Sequence, residues 1–309
     1  MNILIMGATG FIGTNLSLKI AKSDNKLLLL GRKINKEYCD LFANKSNVQF
    51  LEKNFCKETD FDALIKNIDV VYHFISSSIP ASDRVFNNND DIESTILLLE
   101  SMVRNKCNKI IFISSGGAIY GNSKKLPFSE NDSTNPISEY GIQKLLIEKY
   151  LYYYKFHYGI DYKVIRLSNP YGQFQRANKG QGLIATAIYN ALNDKEVIVY
   201  GDGKNTRDYI FIDDAINSII KISTNDTKYD LYNVGSGIGY SINDILDIIK
   251  SELKINIKIK YLDERKTDVI ANFLDINRYK REFGEPITIG IKEGIRKTIE
   301  YWRKKNVGE

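Results

Sequence analysis

Residues 3–6, Ile3-Leu4-Ile5-Met6, form a short unbroken apolar run that stops on Gly7-Ala8-Thr9-Gly10-Phe11-Ile12-Gly13, and a helical pattern opens there through Asn15-Leu16-Ser17-Leu18. A strand apolar on both faces has to be covered on both faces, and the glycines call for a sharp turn with close backbone approach. Similar runs recur at 27–30, 48–51, 70–75, 110–113 and 162–165, with helical patterns such as 92–103 and 142–154 between them. Continuous strands alternating with amphipathic helices specify a parallel sheet flanked by helices.

After Arg166 the texture changes. Asn169-Pro170-Tyr171-Gly172, Asn178-Lys179-Gly180-Gln181-Gly182 and Gly201-Asp202-Gly203 bring frequent loop signals, and 234–240 carries further glycines. With only 5 prolines in 309 residues, no Pro-rich linker divides the chain. The expected architecture is α/β: a Rossmann-type, doubly wound parallel sheet over 1–166, with 207–232 returning to it. Segments 167–206 and 233–309 are expected to form a smaller, interleaved substrate-binding lobe. Ligands of such a fold sit at the carboxyl ends of the strands.

Side-chain chemistry narrows the reactions available. The chain has 2 His, 3 Cys and 20 Tyr. Cys39, Cys56 and Cys107 with two distant histidines supply no zinc spacing, so no metal is expected. His73 lies inside the apolar run Val70-Val71-Tyr72-His73-Phe74, where it reads as a packed core residue. Proton chemistry then falls to tyrosine, lysine or a carboxylate. The 43 basic and 38 acidic residues are interspersed, which argues for a solvated surface and against nucleic-acid binding. Unpaired cysteines, no signal-type segment and no 18-residue apolar stretch lead to the expectation of a cytoplasmic protein without membrane contact.

The glycine turn at Gly7, Gly10 and Gly13, with Phe11 and Ile12 at the helix start, suits a dinucleotide pyrophosphate. NAD-binding folds place a carboxylate at the end of the second strand to hold the ribose hydroxyls; here Gly31-Arg32-Lys33 stands instead. Arg32 and Lys33 favour NADP(H) over NAD(H) through a 2′-phosphate, or are solvated turn residues. Tyr140-Gly141-Ile142-Gln143-Lys144 puts a phenol and an ammonium on one face of a predicted helix, so that Lys144 lowers the pKa of Tyr140. Tyr200 and Lys204 repeat the spacing, but the glycines between them mark a loop.

With these motifs the chain resembles the extended short-chain dehydrogenase/reductase family, in its nucleotide-sugar epimerase/dehydratase/ketoreductase branch. The carriers are GATGFIG at Gly7, VVYHF at Val70, ISSGGAIYG at Ile113, YGIQK at Tyr140, RLSNPYG at Arg166, GDGKNTRDYIFIDD at Gly201, YNVGSG at Tyr232 and ERKTDV at Glu264. The resemblance implies Tyr140 as acid/base, Lys144 as its partner and Asn169, Arg207 and Arg265 on a nucleoside-diphosphate sugar. For Arg207 an ion pair with Asp208 or Asp213 is the alternative. It further implies cofactor contacts from Asn54, Phe55 and Phe74, and a homodimer through helices at 91–104 and 140–156. The family's usual Ser or Thr falls on Gly116 here, so Ser115 is expected to supply the hydroxyl.

Family dehydratases carry Asp-Glu where this chain has Gly117-Ala118, which turns the reading away from dehydration. Reduction at C4 of a nucleoside-diphosphate 4-keto-6-deoxyhexose, dTDP-linked for example and serving surface polysaccharide, ranks first. A 4-epimerase with retained NAD and a non-catalytic cofactor-binding regulator are the alternatives.

Overall fold

The computed structural model describes residues 1–78, 90–122, 125–177, 182–264 and 269–306. The first half runs β1 (Asn2–Met6), α1 (Phe11–Ile20), β2 (Lys26–Gly31), α2 (Lys36–Asp40), β3 (Val48–Glu52), α3 (Phe61–Ile65), β4 (Val70–His73), α4 (Asp90–Arg104), β5 (Lys109–Ser115), α5 (Glu139–Tyr158) and β6 (Asp161–Leu167). The second half runs β7 (Asn169–Tyr171), α6 (Leu183–Leu192), β8 (Val197–Tyr200), β9 (Thr206–Phe211), α7 (Ile212–Thr224), β10 (Leu231–Val234), β11 (Gly239–Ser241), α8 (Ile242–Leu253), β12 (Ile259–Leu262), β13 (Ala271–Asn272), α9 (Asn277–Phe283) and α10 (Ile291–Asn306).

Seven strands form one parallel sheet in the order β10-β6-β5-β4-β1-β2-β3, the doubly wound Rossmann arrangement. Along β1, Ile3 and Ile5 pack into one hydrophobic cluster while Leu4 and Met6 pack into the other, as the two-residue strand period dictates. The chain leaves this sheet after β6 and returns through α7 and β10. Between and after those crossings, β9 pairs with β7, β11 and β13, and β8 pairs with β12, to build the smaller lobe.

His73 is fully buried. Its Nε2 lies 3.0 Å from Thr95 Oγ1, and Phe55 and Phe112 set their rings against it edge-on. Burial holds its pKa down at about 3, so it stays neutral inside the core.

A buried polar network fastens α5 to the sheet. Glu148 takes hydrogen bonds from Arg166 Nη2 at 2.7 Å and Nε at 3.2 Å, and from the Ser114 hydroxyl. The Arg166 guanidinium also donates to the Tyr120 hydroxyl at 3.0 Å, which donates to Asn233 Oδ1 at 2.7 Å on β10. Glu148 and Arg166 are both under a tenth exposed, so deleting one strands the other's charge in low dielectric. Glu148→Leu is expected to cost about 3–5 kcal/mol of unfolding free energy. Adding Arg166→Met should restore much of it. Urea denaturation checks this; a single variant within about 1 kcal/mol of the parent would contradict it.

Candidate active site

The turn after β1 is built for close approach. Gly7 has φ +79°, in the left-handed region, and its carbonyl accepts from the Gly10 amide at 2.9 Å. At Gly13 a Cβ would stand 2.2 Å from Gly7 O and 2.8 Å from Ala8 Cα, so only glycine fits. Gly10 caps α1 with no side-chain hydrogen bond, and Gly7, Gly10, Phe11, Ile12 and Gly13 all line a cavity of about 550 Å³. A bare backbone at a helix N-terminus suits a pyrophosphate, so these residues fit a dinucleotide cofactor. Phe74, just past β4, lines the same cavity.

At the carboxyl end of β2, Arg32 and Lys33 are exposed. Glu52 on β3, in register with Gly31, turns Oε2 toward the Ile34 amide at 2.8 Å and so stabilises the turn after these two cations. Asn54 is exposed and its carbonyl accepts from Thr59 Oγ1 at 2.9 Å. The Phe55 ring is buried against His73 and Phe61, so it is packed in the core rather than lining the cavity.

The catalytic candidates converge at the ends of β5 and α5. Ser138 caps α5 by accepting from the Gly141 amide at 3.2 Å, which starts the helix one residue before Tyr140. Tyr140 is half-buried and lines the cavity, as does Ser115. One turn on, Lys144 is 5% exposed; its Nζ donates to Ile113 O at 3.0 Å and lies 4.7 Å from the Phe112 ring centroid and 5.7 Å from that of Tyr140.

The expected lowering of the phenol's pKa is outweighed here by burial. Burial raises the Tyr140 pKa above its ordinary value, and the opposing pull comes from the Ser115 hydroxyl. Burial brings Lys144 itself down to about 8, against the pull of the Asp91 and Glu148 carboxylates. Tyr140 is therefore held as a protonated phenol, ready to donate.

Gly116 and Ser115 differ in what they face. A Cβ on Gly116 would sit 2.6 Å from Leu274 Cδ1 and 3.1 Å from Arg166 O, so that residue faces packed protein. Ser115, its neighbour, lines the cavity. A Cβ on Gly117 would be 3.9 Å from both Ser115 Oγ and Asn169 Oδ1, which places those two polar atoms around the same open volume.

Asn169, on β7, is fixed by its Nδ2 donating to Asp208 O at 2.9 Å. Arg207, on β9, lines the cavity and donates from Nη1 to Thr206 O at 2.9 Å. Asp208 turns the other way and is fully buried. Its carboxylate accepts from the Ser236 amide and hydroxyl at 2.7 Å, and from Gly237 N and Leu274 N. Asp213 accepts from Gln173 Nε2 at 3.1 Å. Arg265 lies outside the described residues.

Sequence reasoning passed over several lining residues, among them Gln175, Asn205, Tyr171 and Tyr209. Tyr200, set aside as an accidental match, also lines the cavity from the end of β8. The GDG turn directly after it was the available signal. Among the described lining residues the titratable side chains are Arg207 and the tyrosines 140, 171, 200 and 209, with no carboxylate, histidine, cysteine or lysine. The described residues hold no cluster of potential metal ligands and no helix long and apolar enough to cross a membrane.

The chain is similar to known proteins across its length. A putative UDP-glucose 4-epimerase of Methanocaldococcus jannaschii is 31% identical over 98% of this chain and 99% of its own. A dTDP-4-dehydro-6-deoxyglucose reductase of Escherichia coli is 29% identical over 98% of both. The solved structure of UDP-glucose 4-epimerase from Thermotoga maritima with UDP-glucose is 29% identical and superposes with a TM-score of 0.90, covering 99% of this chain and 100% of that one. Residues 3–235, from β1 through the end of the parallel sheet, match the NAD dependent epimerase/dehydratase family, and the chain belongs to that family.

Proposed function

We propose that this chain is a nucleotide-sugar oxidoreductase that uses NADPH to reduce the C4 ketone of a nucleoside-diphosphate 4-keto-6-deoxyhexose. The carrying observation is the end of β2, where Arg32 and Lys33 are exposed and the neighbouring carboxylate, Glu52, is engaged with the Ile34 amide. Two cations there suit a 2′-phosphate and an exchangeable cofactor. The relative from Escherichia coli bears the name of such a reductase. A 4-epimerase with retained NAD is the second reading, favoured by the names of the relatives from Methanocaldococcus and Thermotoga. In either reading α4 and α5 pair with a second copy, and Ile142, Leu146, Tyr153 and Phe156 of α5 supply exposed apolar surface. The reading also places the protein in the cytoplasm, where nucleotide sugars for surface polysaccharide are assembled.

The bound cofactor supplies hydride at carbon. The chain's own residues manage the oxygen. Tyr140 donates its phenolic proton to O4, and Ser115, which lines the same cavity, steadies the developing charge there. The Lys144 ammonium, close to the Phe112 and Tyr140 rings, stabilises the phenolate left behind and holds the nicotinamide ribose. Asn169 borders the sugar volume, and Arg207 and Arg265 take the diphosphate as charge-assisted donors. No described carboxylate lines the cavity to remove a proton from carbon, which supports reduction over elimination of water.

Tyr140→Phe is expected to lower kcat by about 10²–10⁴-fold and Ser115→Ala by roughly 10²-fold, read from NADPH oxidation with a 4-keto sugar nucleotide. Parent-like turnover in Tyr140→Phe would end this account.

Titration adds a second check, because the Lys144 ammonium is present below its pKa of about 8 and lost above it. In the free enzyme kcat/KM should fall as pH rises through that value; a profile flat to pH about 9.5 would contradict the role.

Cofactor choice is tested by affinity. NADPH should bind more tightly than NADH, and Arg32→Ala should weaken NADPH about 10–100-fold while leaving NADH unchanged. Tighter NADH binding with a silent Arg32→Ala would transfer the proposal to the epimerase reading.

A further inference from the structure

Asn272 is fully buried on β13, where its backbone stands in register opposite Arg207 on β9. Its Nδ2 crosses to the other lobe and donates to the Gly116 carbonyl at 3.0 Å, one residue past Ser115. Its Oδ1 is buried with no hydrogen-bond partner. A site this enclosed is more cheaply filled by an apolar side chain, and an amide that uses only its donor is placed there for that donor.

The rest of Gly116 is equally constrained. Its amide donates to Leu167 O at 2.8 Å, and its α-carbon faces Leu274, whose own amide donates to Asp208 Oδ2 at 3.3 Å. Asp208 directly follows Arg207 in β9 and presents the carbonyl that fixes Asn169 at 2.9 Å. A movement of β9 therefore reaches the residue after Ser115 through two side chains, Asn272 and Leu274. Of these, only Asn272 makes a directional contact with the Gly116 backbone.

We propose that Asn272 is a positioning residue that couples the strand carrying Arg207 to the Ser115–Tyr140 pair by holding the Gly116 carbonyl. The inference rests on the reading above in that Arg207 takes the diphosphate. Ligand contact at the β9 end of the cavity then fixes Ser115 against Tyr140 at the other.

Two measurements on the full chain test it. In hydrogen exchange, UDP or dTDP should slow the amides of 206–211 and of 113–120 together in the parent, and those of 206–211 alone in Asn272→Leu or Asn272→Ala. Protection of 206–211 without 113–120 in the parent overturns the coupling and leaves the proposed function standing. Protection of neither segment overturns the diphosphate reading and the inference with it.

In turnover, either variant should lower kcat roughly 10–100-fold with little change in KM, because a misplaced group costs rate more than binding. Added to Ser115→Ala, it should lower kcat no further. An equal fall in both backgrounds, or a lowered Tm with kcat retained, would show a merely structural residue.

Discussion

Glu148 and Arg166 face one another inside the α5–sheet interface, and the architecture around the site hangs on their contact. Each is nearly dry, so each depends on the other and on the added donors from Ser114 and Tyr120 to remain charged there. Glu148 lies one turn beyond Lys144 on α5, Ser114 immediately precedes Ser115 on β5, and Arg166 lies just before the exit from β6 to Asn169. One ion pair thus ties the helix that carries Tyr140 to the sheet whose neighbouring strand carries Ser115. Through Tyr120 and Asn233 it extends to β10, the strand by which the chain rejoins the sheet.

The resulting site is unusual in how little ionisable chemistry it presents. Among the described lining residues, Arg207 is the only formal charge, and the proposed proton donor is a phenol that burial keeps protonated. The Lys144 ammonium is nearly dry, resting on the Ile113 carbonyl and the Phe112 ring beside Tyr140. Such a cavity fits chemistry in which a cofactor handles electrons and the protein handles one proton at one oxygen. It also explains why the chain needs neither of its histidines there: His73 is neutral core, packed between Phe55 and Phe112.

The parallel sheet, the glycine turn and the Tyr140–Lys144 pair were legible because local spacing determines them. Strand runs alternate with helices, and residues four apart share a helix face. What stayed hidden depended on contacts distant in sequence. Motif position pointed to Gly116 as the place for a hydroxyl, yet that position faces Leu274, far along the chain, and only the alternation of side chains along β5 turns Ser114 to Glu148 and Ser115 to the cavity. The pKa order of Tyr140 and Lys144 was likewise out of reach, since spacing brings the two together without reporting how dry they are. Asn272 carries no local signal at all; its meaning comes from a register with Arg207 and a bond to another lobe.

The central claim, net reduction at C4 with Tyr140 as proton donor, is tested most directly by the fate of the hydride. Purified protein supplied with NADPH deuterated at its transferable position and a nucleoside-diphosphate 4-keto-6-deoxyhexose should release a sugar nucleotide carrying one deuterium at C4 for each NADPH consumed. No oxidation of NADPH by the 4-keto sugar, together with interconversion of C4-epimeric nucleotide sugars by protein that keeps its own NAD, would contradict the account.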